Sequence, residues 1–439
     1  MPDHARSDHP AVQAQLDRLW GLSPGADVLG LERITTLLSR LGDPQHHLPP
    51  VFHVAGTNGK GSTCAFLRAA IEASGQSVHV YSSPHLVRFN ERIRIAGRLI
   101  DDEALAGVLE EVLAQAEGIG ASFFEVTTAA AFLCFARTPA AATIIEVGLG
   151  GRLDATNILP PPTVCGIAAL GIDHEAFLGR SLTGIAREKA GIAKPGTPLV
   201  TMDYARPLRD AIEAVAATAG APVLARGRDW LSSVTKAGIR YEDRQGSLAL
   251  PRPALSGSHQ SCNLALAVAM IRHQSAVSVP DQALQAAATR ASWPARMQLL
   301  RHGPLTARLP DGSRCWLDGA HNPSAATPVA RAMARWRLQG PSALVLGMLA
   351  NKEAGPVLQR LGAMVDLVVT VPVPHHACHA PDALAQQARD LGMNALSADD
   401  PAAALDVIAE RFGRPAQVLI AGSLYLAGQI LEQNGEAPD

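Results

Sequence analysis

Apolar positions along the chain follow two periods in turn, and the alternation outlines the architecture. Short apolar runs occur at Val51 to Ala55, Ser77 to Tyr81, Ala142 to Val147, Thr163 to Ala168 and Pro198 to Met202. Between them, apolar residues fall at helical spacing over Ser62 to Ala73, Asp101 to Ala116, Phe123 to Ala136 and Leu182 to Ala190. Buried strands alternating with helices predict a parallel sheet wound with helices. A helical lead-in spans Val12 to Leu41, broken by the turn Ser23-Pro24-Gly25, and Phe123 to Ala136 is apolar nearly all round, as a buried helix would be. Glu91 to Ala96 alternates like a half-exposed strand, Ala221 to Leu250 breaks into short alternating pieces, and helices return at Asn263 to Met270 and Asp281 to Thr289. After Trp293-Pro294-Ala295-Arg296 a second series begins, with strands at Arg314 to Leu317, Ala343 to Leu346, Asp366 to Val371 and Gln417 to Ile420. Its helices include Ala325 to Trp336 and Pro401 to Arg411. The expected division is residues 1–298 and 299–439.

Composition agrees with two domains, because 439 residues exceed what one hydrophobic core usually supports. A formal net charge of −2 offers no basic field, so neither nucleic acid nor an anionic membrane is an expected partner. Any anionic ligand must then be held by a few placed cations. The six cysteines lie far apart with no Cys-x-x-Cys pair, which suits reduced thiols in a cytoplasm. The first ten residues lack the apolar core of a signal peptide, and no run approaches a membrane span. These features predict a soluble cytoplasmic chain.

The run Val51 to Ala55 leads into Gly56-Thr57-Asn58-Gly59-Lys60-Gly61-Ser62 and then a helix. Glycine-exposed N–H groups, a helix N-terminus and the Lys60 ammonium together make a phosphate cradle. Val54 and Gly61 stand where the strict Walker pattern has Gly and Ser or Thr, so a tight glycine turn between strand and helix is the plainer alternative. Thr57, Asn58, Gly59, Lys60, Gly61 and Ser62 are the candidate ATP contacts, with Lys60 on the β and γ phosphates. Glu146 closes a core strand and is a suitable oxygen ligand for Mg²⁺. Lys189 lies in a mostly apolar helix end, where burial lowers its pKa and frees a nucleophilic amine.

Taken with Ser83-Pro84-His85-Leu86, Phe89-Asn90-Glu91-Arg92-Ile93, the stretch Glu146 to Asn157, Glu188-Lys189-Ala190-Gly191-Ile192 and Asp318-Gly319-Ala320-His321-Asn322-Pro323, the cradle resembles one family. It is the folylpolyglutamate synthase and dihydrofolate synthase family of ATP-dependent Mur ligases. The resemblance runs from about residue 30 to Tyr425. It implies a P-loop nucleotide-binding wound-sheet domain followed by a smaller Rossmann-like glutamate-ligase domain. It also implies ATP-driven phosphorylation of a carboxylate, then displacement of phosphate by the amine of L-glutamate, in a bifunctional enzyme acting on dihydropteroate and folates. The implied metal ligands are Ser83, Glu146 and His174, at two Mg²⁺ sites. Lys189 matches a lysine that similar enzymes carbamylate, Asp318 a ribose contact, Arg296 a phosphate contact and Asn263 an adenine-side contact. His321 is placed near the phosphates or the incoming glutamate, as a third candidate catalytic residue beside Lys60 and Lys189.

For the flat pterin end of the substrate, Phe123, Phe124 and the loop Leu153-Asp154-Ala155-Thr156 match segments that hold dihydropteroate in similar enzymes. Core packing is the equal alternative for the two phenylalanines. Three positions depart from the family pattern: Ala295 replaces a usual Gly, Asn351-Lys352-Glu353 replaces a more common Asp-Lys-Asp, and Ser256 replaces a common Pro. Expected partners are ATP, L-glutamate, dihydropteroate and folates, bound by a monomer. A single-activity synthase, or a nucleotide switch that ligates nothing, are the rival readings.

Overall fold

The computed structural model describes residues 6–22, 29–334, 336 and 339–438. In chain order the elements of the first part are α1 (Pro10–Leu22), α2 (Glu32–Arg40), β1 (Val51–Ala55), α3 (Lys60–Ala73), β2 (Val78–Tyr81), β3 (Ile93–Ile95) and β4 (Arg98–Leu99). Then come α4 (Asp102–Gln115), α5 (Phe123–Arg137), β5 (Ala142–Glu146), β6 (Val164–Ile167), α6 (Glu175–Leu178), α7 (Leu182–Ala190), β7 (Leu199–Thr201) and α8 (Arg206–Ala219). This part closes with β8 (Val223–Ala225), β9 (Leu231–Val234), β10 (Ile239–Asp243), β11 (Gly246–Leu250), α9 (His259–Arg272) and α10 (Asp281–Arg290). The turn expected at Ser23-Pro24-Gly25 lies outside the described residues.

An eight-stranded sheet runs in the order β4-β3-β2-β5-β1-β6-β7-β8. From β2 to β8 all neighbours are parallel, and β3 and β4 add an antiparallel edge. Central strands buried on both faces need apolar residues at nearly every position, which is why β1 and β5 read as continuous runs. The register sets His53 beside Ile145 and Ile145 beside Tyr81, so these three side chains share a face. That face carries a core built from α1, α2, α4 and α5. A second core joins β6 and β7 to α7 and α8. Helix α8 had no counterpart in the sequence expectations, and α3 starts at Lys60, two residues before the expected start.

The small antiparallel sheet β11-β10-β9 is tied to α9 by buried charge. Asp243, whose side chain is 0% exposed, lies 3.1 Å from Nε of Arg272. The Tyr241 hydroxyl donates to Asp243 at 3.0 Å, and the Arg272 guanidinium lies over the Tyr241 ring.

The second part contains β12 (Gln298–Leu299), β13 (Arg314–Leu317), α11 (Pro323–Met333), β14 (Ser342–Leu346), α12 (Ala354–Leu361), β15 (Leu367–Thr370), α13 (Pro381–Asp390), β16 (Ala395–Ser397), α14 (Pro401–Phe412), β17 (Gln417–Ala421) and α15 (Leu424–Gln433). Its sheet order is β12-β13-β17-β14-β15-β16, parallel except at β12. Two compact units result: Met1–Ala254 with Gln260–Ser292, and Leu255–His259 with Trp293–Asp439. The boundary therefore falls six residues before the expected 298/299 division, and a short stretch ahead of α9 also counts with the second unit. The reason is hydrogen bonding: Gly319 donates to the Ala295 carbonyl at 3.0 Å, Met297 N–H to Asp318 at 2.8 Å, and β12 pairs with β13. Among the described residues no helix is long and apolar enough to cross a membrane, and all six cysteines are free.

Asp243→Ala leaves the buried Arg272 cation only the exposed Asp281 carboxylate at 3.7 Å, and should cost roughly 3 kcal/mol of stability. Denaturant unfolding measures it, and adding Arg272→Met should recover part of the loss.

Candidate functional site

Four adjacent parallel strands of the first unit, β2, β5, β1 and β6, carry candidate residues at or just beyond their carboxyl ends. β1 ends at Ala55 and is followed by Gly56 at φ 151° and Gly59 at φ 86°. A side chain is strained at both, and a Cβ on Gly59 would sit 2.6 Å from Oδ1 of Asn263. The first intrahelical bond of α3 is donated by Thr63 to the Gly59 carbonyl, so the amides of Lys60, Gly61 and Ser62 open at the helix N-terminus. Lys60 Nζ bends back to the Gly56 carbonyl at 3.1 Å, and Ser62 is buried. Asn263 donates to Oε1 of Gln260 at 2.9 Å. Asn58 and Thr57 both donate their N–H to the Ala169 carbonyl.

Glu146 is the last residue of β5, in register with Val54 and only 4% exposed. Burial first, then the Glu146 charge, raises the pKa of Cys64 in α3, while Lys60 opposes the rise. Tyr81, at the end of β2, is raised by burial and then by Asp154 and Glu146. Lys189 is 4% exposed in α7. Burial first, then the Lys60 charge, lowers it to about 7, with Asp173 and Asp154 pulling the other way. Lys60, Glu146, Asp154, Asp173 and Lys189 thus occupy one electrostatic neighbourhood.

Asp154 is organised by its own loop. Its carboxylate accepts N–H bonds from Leu149 at 2.7 Å and Thr156 at 3.0 Å, and the Thr156 hydroxyl at 2.5 Å. Burial nonetheless pushes its pKa up, against these bonds and Lys60. The same loop lies directly on α7: a Cβ on Gly151 would meet the Glu188 carbonyl oxygen at 2.7 Å and Lys189 Cα at 3.0 Å. Leu153 is half-buried and Ala155 buried in this loop.

The two phenylalanines separate. Phe123 is core, stacked on Trp20 at 5.2 Å and edge-on to Phe89. Phe124 is half-buried, and its ring fills the space a Cβ on Gly148 would need, 2.4 Å from Cζ. Ser83 follows β2, and in the same loop Glu91 accepts the N–H groups of Leu86, Val87 and Arg88 at 2.7–2.8 Å. His174 is exposed, at φ 52°, in the segment after β6. Among the described residues no three His, Cys, Asp or Glu side chains form a ready metal cage. Buried Glu146 with a serine hydroxyl nearby in strand order fits a hard ion that keeps waters and substrate oxygens.

In the second unit Asp318, buried after β13, accepts N–H bonds from Met297 and Ala320, both 2.8 Å. Burial raises it, against Arg296. Arg296 donates to the Ala295 carbonyl at 2.8 Å, and His321 Nδ1 is 2.8 Å from the Gly319 carbonyl. Ala295 adopts φ 53°, a left-handed conformation that explains why Gly commonly stands there.

Residues 296–424 match the family model described as Mur ligase, glutamate ligase domain. The folylpolyglutamate synthase of Lacticaseibacillus casei is 32% identical over 415 residues, covering 91% of this chain and 92% of that protein. The structure of Escherichia coli FolC in complex with DHPP and ADP superposes with a TM-score of 0.86 at 33% identity, covering 97% of both chains. A bifunctional folylpolyglutamate synthase/dihydrofolate synthase from Yersinia pestis, solved with AMPPNP and Mn, gives 0.84 at 32% identity, covering 97% of this chain and 99% of that one. The chain belongs to the folylpolyglutamate synthase and dihydrofolate synthase family. It is an ATP-dependent ligase of the Mur type.

Within this ligase frame, three residues escaped the sequence reading. His53 in β1 sits 2.9 Å from the Thr156 hydroxyl, and burial, then Lys194, lowers it to about 3, so it is neutral. It supports the Thr156–Asp154 pair from below, and its signal was a polar residue inside an otherwise apolar strand. Asp173 showed only as the neighbour of His174. Tyr204, whose hydroxyl reaches the Ile167 and Ala168 carbonyls at 2.7 Å each, carried no local signal.

Gly151→Ala must push the loop off the α7 backbone and displace Lys189, and should lower ligase turnover about 10²-fold. Gly107→Ala, in α4 with nothing within 4 Å of its Cβ, is the control, and a steady-state assay compares them.

Proposed function

We propose that this ligase adds L-glutamate both to dihydropteroate and to folate polyglutamates, through an acyl-phosphate intermediate. The observation that carries the reading is the shared corner of Lys60, Glu146, Asp154 and Lys189 beyond the carboxyl ends of β1 and β5. In the first step a substrate carboxylate oxygen bonds to the γ-phosphorus of ATP as ADP leaves. In the second, the glutamate amine bonds to the acyl carbon, phosphate leaves, and the amine gives up a proton. Such chemistry asks the protein for positioning and for charge against the transferring group. The open amides at the start of α3 and the Lys60 ammonium supply both to the phosphates.

Glu146, with Ser83 and His174, is the proposed protein share for Mg²⁺, which when bound would neutralise phosphate charge. Gly59, Gly61, Ser62 and Asn263 are proposed nucleotide contacts of the first unit, and Arg296, Asp318 and His321 those of the second. Phe124, resting on Gly148, offers an aromatic face beside the loop of Leu153, Asp154, Ala155 and Thr156, suited to a flat pterin. A pterin is common to dihydropteroate and folates, so this face suits either acceptor, and identity alone does not choose between one activity and two: the single-activity Lacticaseibacillus casei name and the bifunctional Yersinia pestis one stand at 32% each.

With its pKa near 7, about half of Lys189 is neutral amine at that pH. Only the amine adds CO₂, forming an N–C bond and releasing a proton, and the carbamate turns a buried cation into an anion. For stability the sign is opposite to that of a paired lysine. Between pH 7 and the ordinary value of 10.5 the unfolded chain binds the extra proton, so the Lys189 contribution improves as pH rises through that window.

Glutamate-dependent phosphate release should be seen with dihydropteroate and with tetrahydrofolate, and activity with one alone rejects the double reading. Lys60→Ala should fold and lose about 10²-fold or more in kcat, since it removes charge most needed as phosphate transfers. In ¹³CO₂-equilibrated protein a carbamate carbon signal should be present at pH 8, fade below pH 7, and be missing from Lys189→Arg. Its absence at pH 8 would exclude carbamylation.

A further inference from the structure

The segment after β6 carries Asp173 and His174, and it mixes buried and exposed positions. Ile172 and Phe177 are exposed, α6 is a single turn of four residues, and His174 holds a left-handed backbone. Hydrogen bonds hold the start of the segment. Its first residues are fastened to the phosphate cradle. The N–H groups of Thr57 and Asn58 converge on the Ala169 carbonyl at 2.8 and 3.1 Å. The Thr57 hydroxyl donates to the Gly171 carbonyl at 2.9 Å and accepts the Gly171 N–H at 3.1 Å. Gly56 lies so close to Ala168 that a Cβ there would meet the Ala168 Cβ at 2.9 Å. From the other side the Tyr204 hydroxyl reaches the Ile167 and Ala168 carbonyls.

A threonine hydroxyl has one hydrogen to give. That of Thr57 is already given to Gly171, so it cannot also donate to a nucleotide phosphate without releasing the segment. We propose that Thr57 is a positioning residue whose hydroxyl latches the segment 168–174 to the phosphate cradle, with Tyr204 as its second fastener. The latch joins the loop that receives the nucleotide to the loop that presents Asp173 toward Lys189 and His174 toward the metal. Its metal consequence rests on the proposed function, in which His174 is a ligand. The fastening itself does not.

Thr57→Val keeps the shape and removes both hydroxyl bonds, and Thr57→Ser keeps them. Amide hydrogen exchange across residues 168–178 reads the latch directly. Exchange should rise in Thr57→Val and return toward the native rate in Thr57→Ser. Mn²⁺ binding followed by electron paramagnetic resonance should weaken about 10-fold or more in Thr57→Val, the size seen when a supporting partner of a metal ligand is lost. The KM for ATP should stay nearly native. Unchanged exchange in Thr57→Val overturns the proposal. So does a raised KM for ATP with Mn²⁺ binding intact, because the hydroxyl would then be a nucleotide contact. If exchange rises but even the native chain binds no Mn²⁺ with ATP present, the latch stands and the metal set of the proposed function falls. Should Thr57→Val fail to fold, Tyr204→Phe carries the same exchange test at residues 167–171.

Discussion

Lys60 and Lys189 bring like charges into one corner of the first unit, and much of the surrounding structure answers that repulsion. Lys189 has almost no solvent to share its charge with, and Lys60 makes the ionised form costlier still. Asp154 and Asp173 compensate only in part, because burial weakens the ionised form of Asp154 too. The outcome is an amine poised between its two protonation states. A surface lysine in bulk water would show no such balance. Lys189 is therefore chemically distinct from an ordinary cation before any ligand enters.

Keeping that balance requires the carboxylates to stay where they are. Asp154 is held by three hydrogen bonds from its own loop, and that loop is seated on α7 by the absence of side chains at Gly151 and Gly191. Thr156 is in turn contacted by His53 from the central strand. Charge, loop shape and sheet interior are thus one mechanical unit. An added methyl group in the loop therefore acts on the amine of a helix 38 residues further along the chain, Gly151 to Lys189.

The parallel sheet and the strand ends were legible because both periods are strong and the central strands are apolar throughout. Helix Leu182–Ala190 was found at its observed limits, and the low pKa of Lys189 followed from its apolar setting. Other features depended on distant partners. Gly171 lies 114 residues from Thr57, so nothing near Thr57 in sequence shows where its hydroxyl is bonded. Phe123 and Phe124 are adjacent and identical in type, and only the tertiary fold sends one into the aromatic core and the other against Gly148. The unit boundary lies six residues before the expected one because Gly319 donates to Ala295 and Asp318 accepts from Met297, which draws the residues before β12 toward the second sheet.

Glu91 spends its carboxylate on three consecutive backbone N–H groups, those of Leu86, Val87 and Arg88. The loop between β2 and β3 therefore has its conformation settled by the protein itself. Under the proposed function, in which Ser83 belongs to the site, a ligand there meets a wall that is already formed, and the entropy of ordering that wall was lost during folding. Binding then begins with less conformational freedom left to surrender, so more of the contact energy is available as affinity. Preorganisation in this loop comes from a carboxylate committed to the backbone.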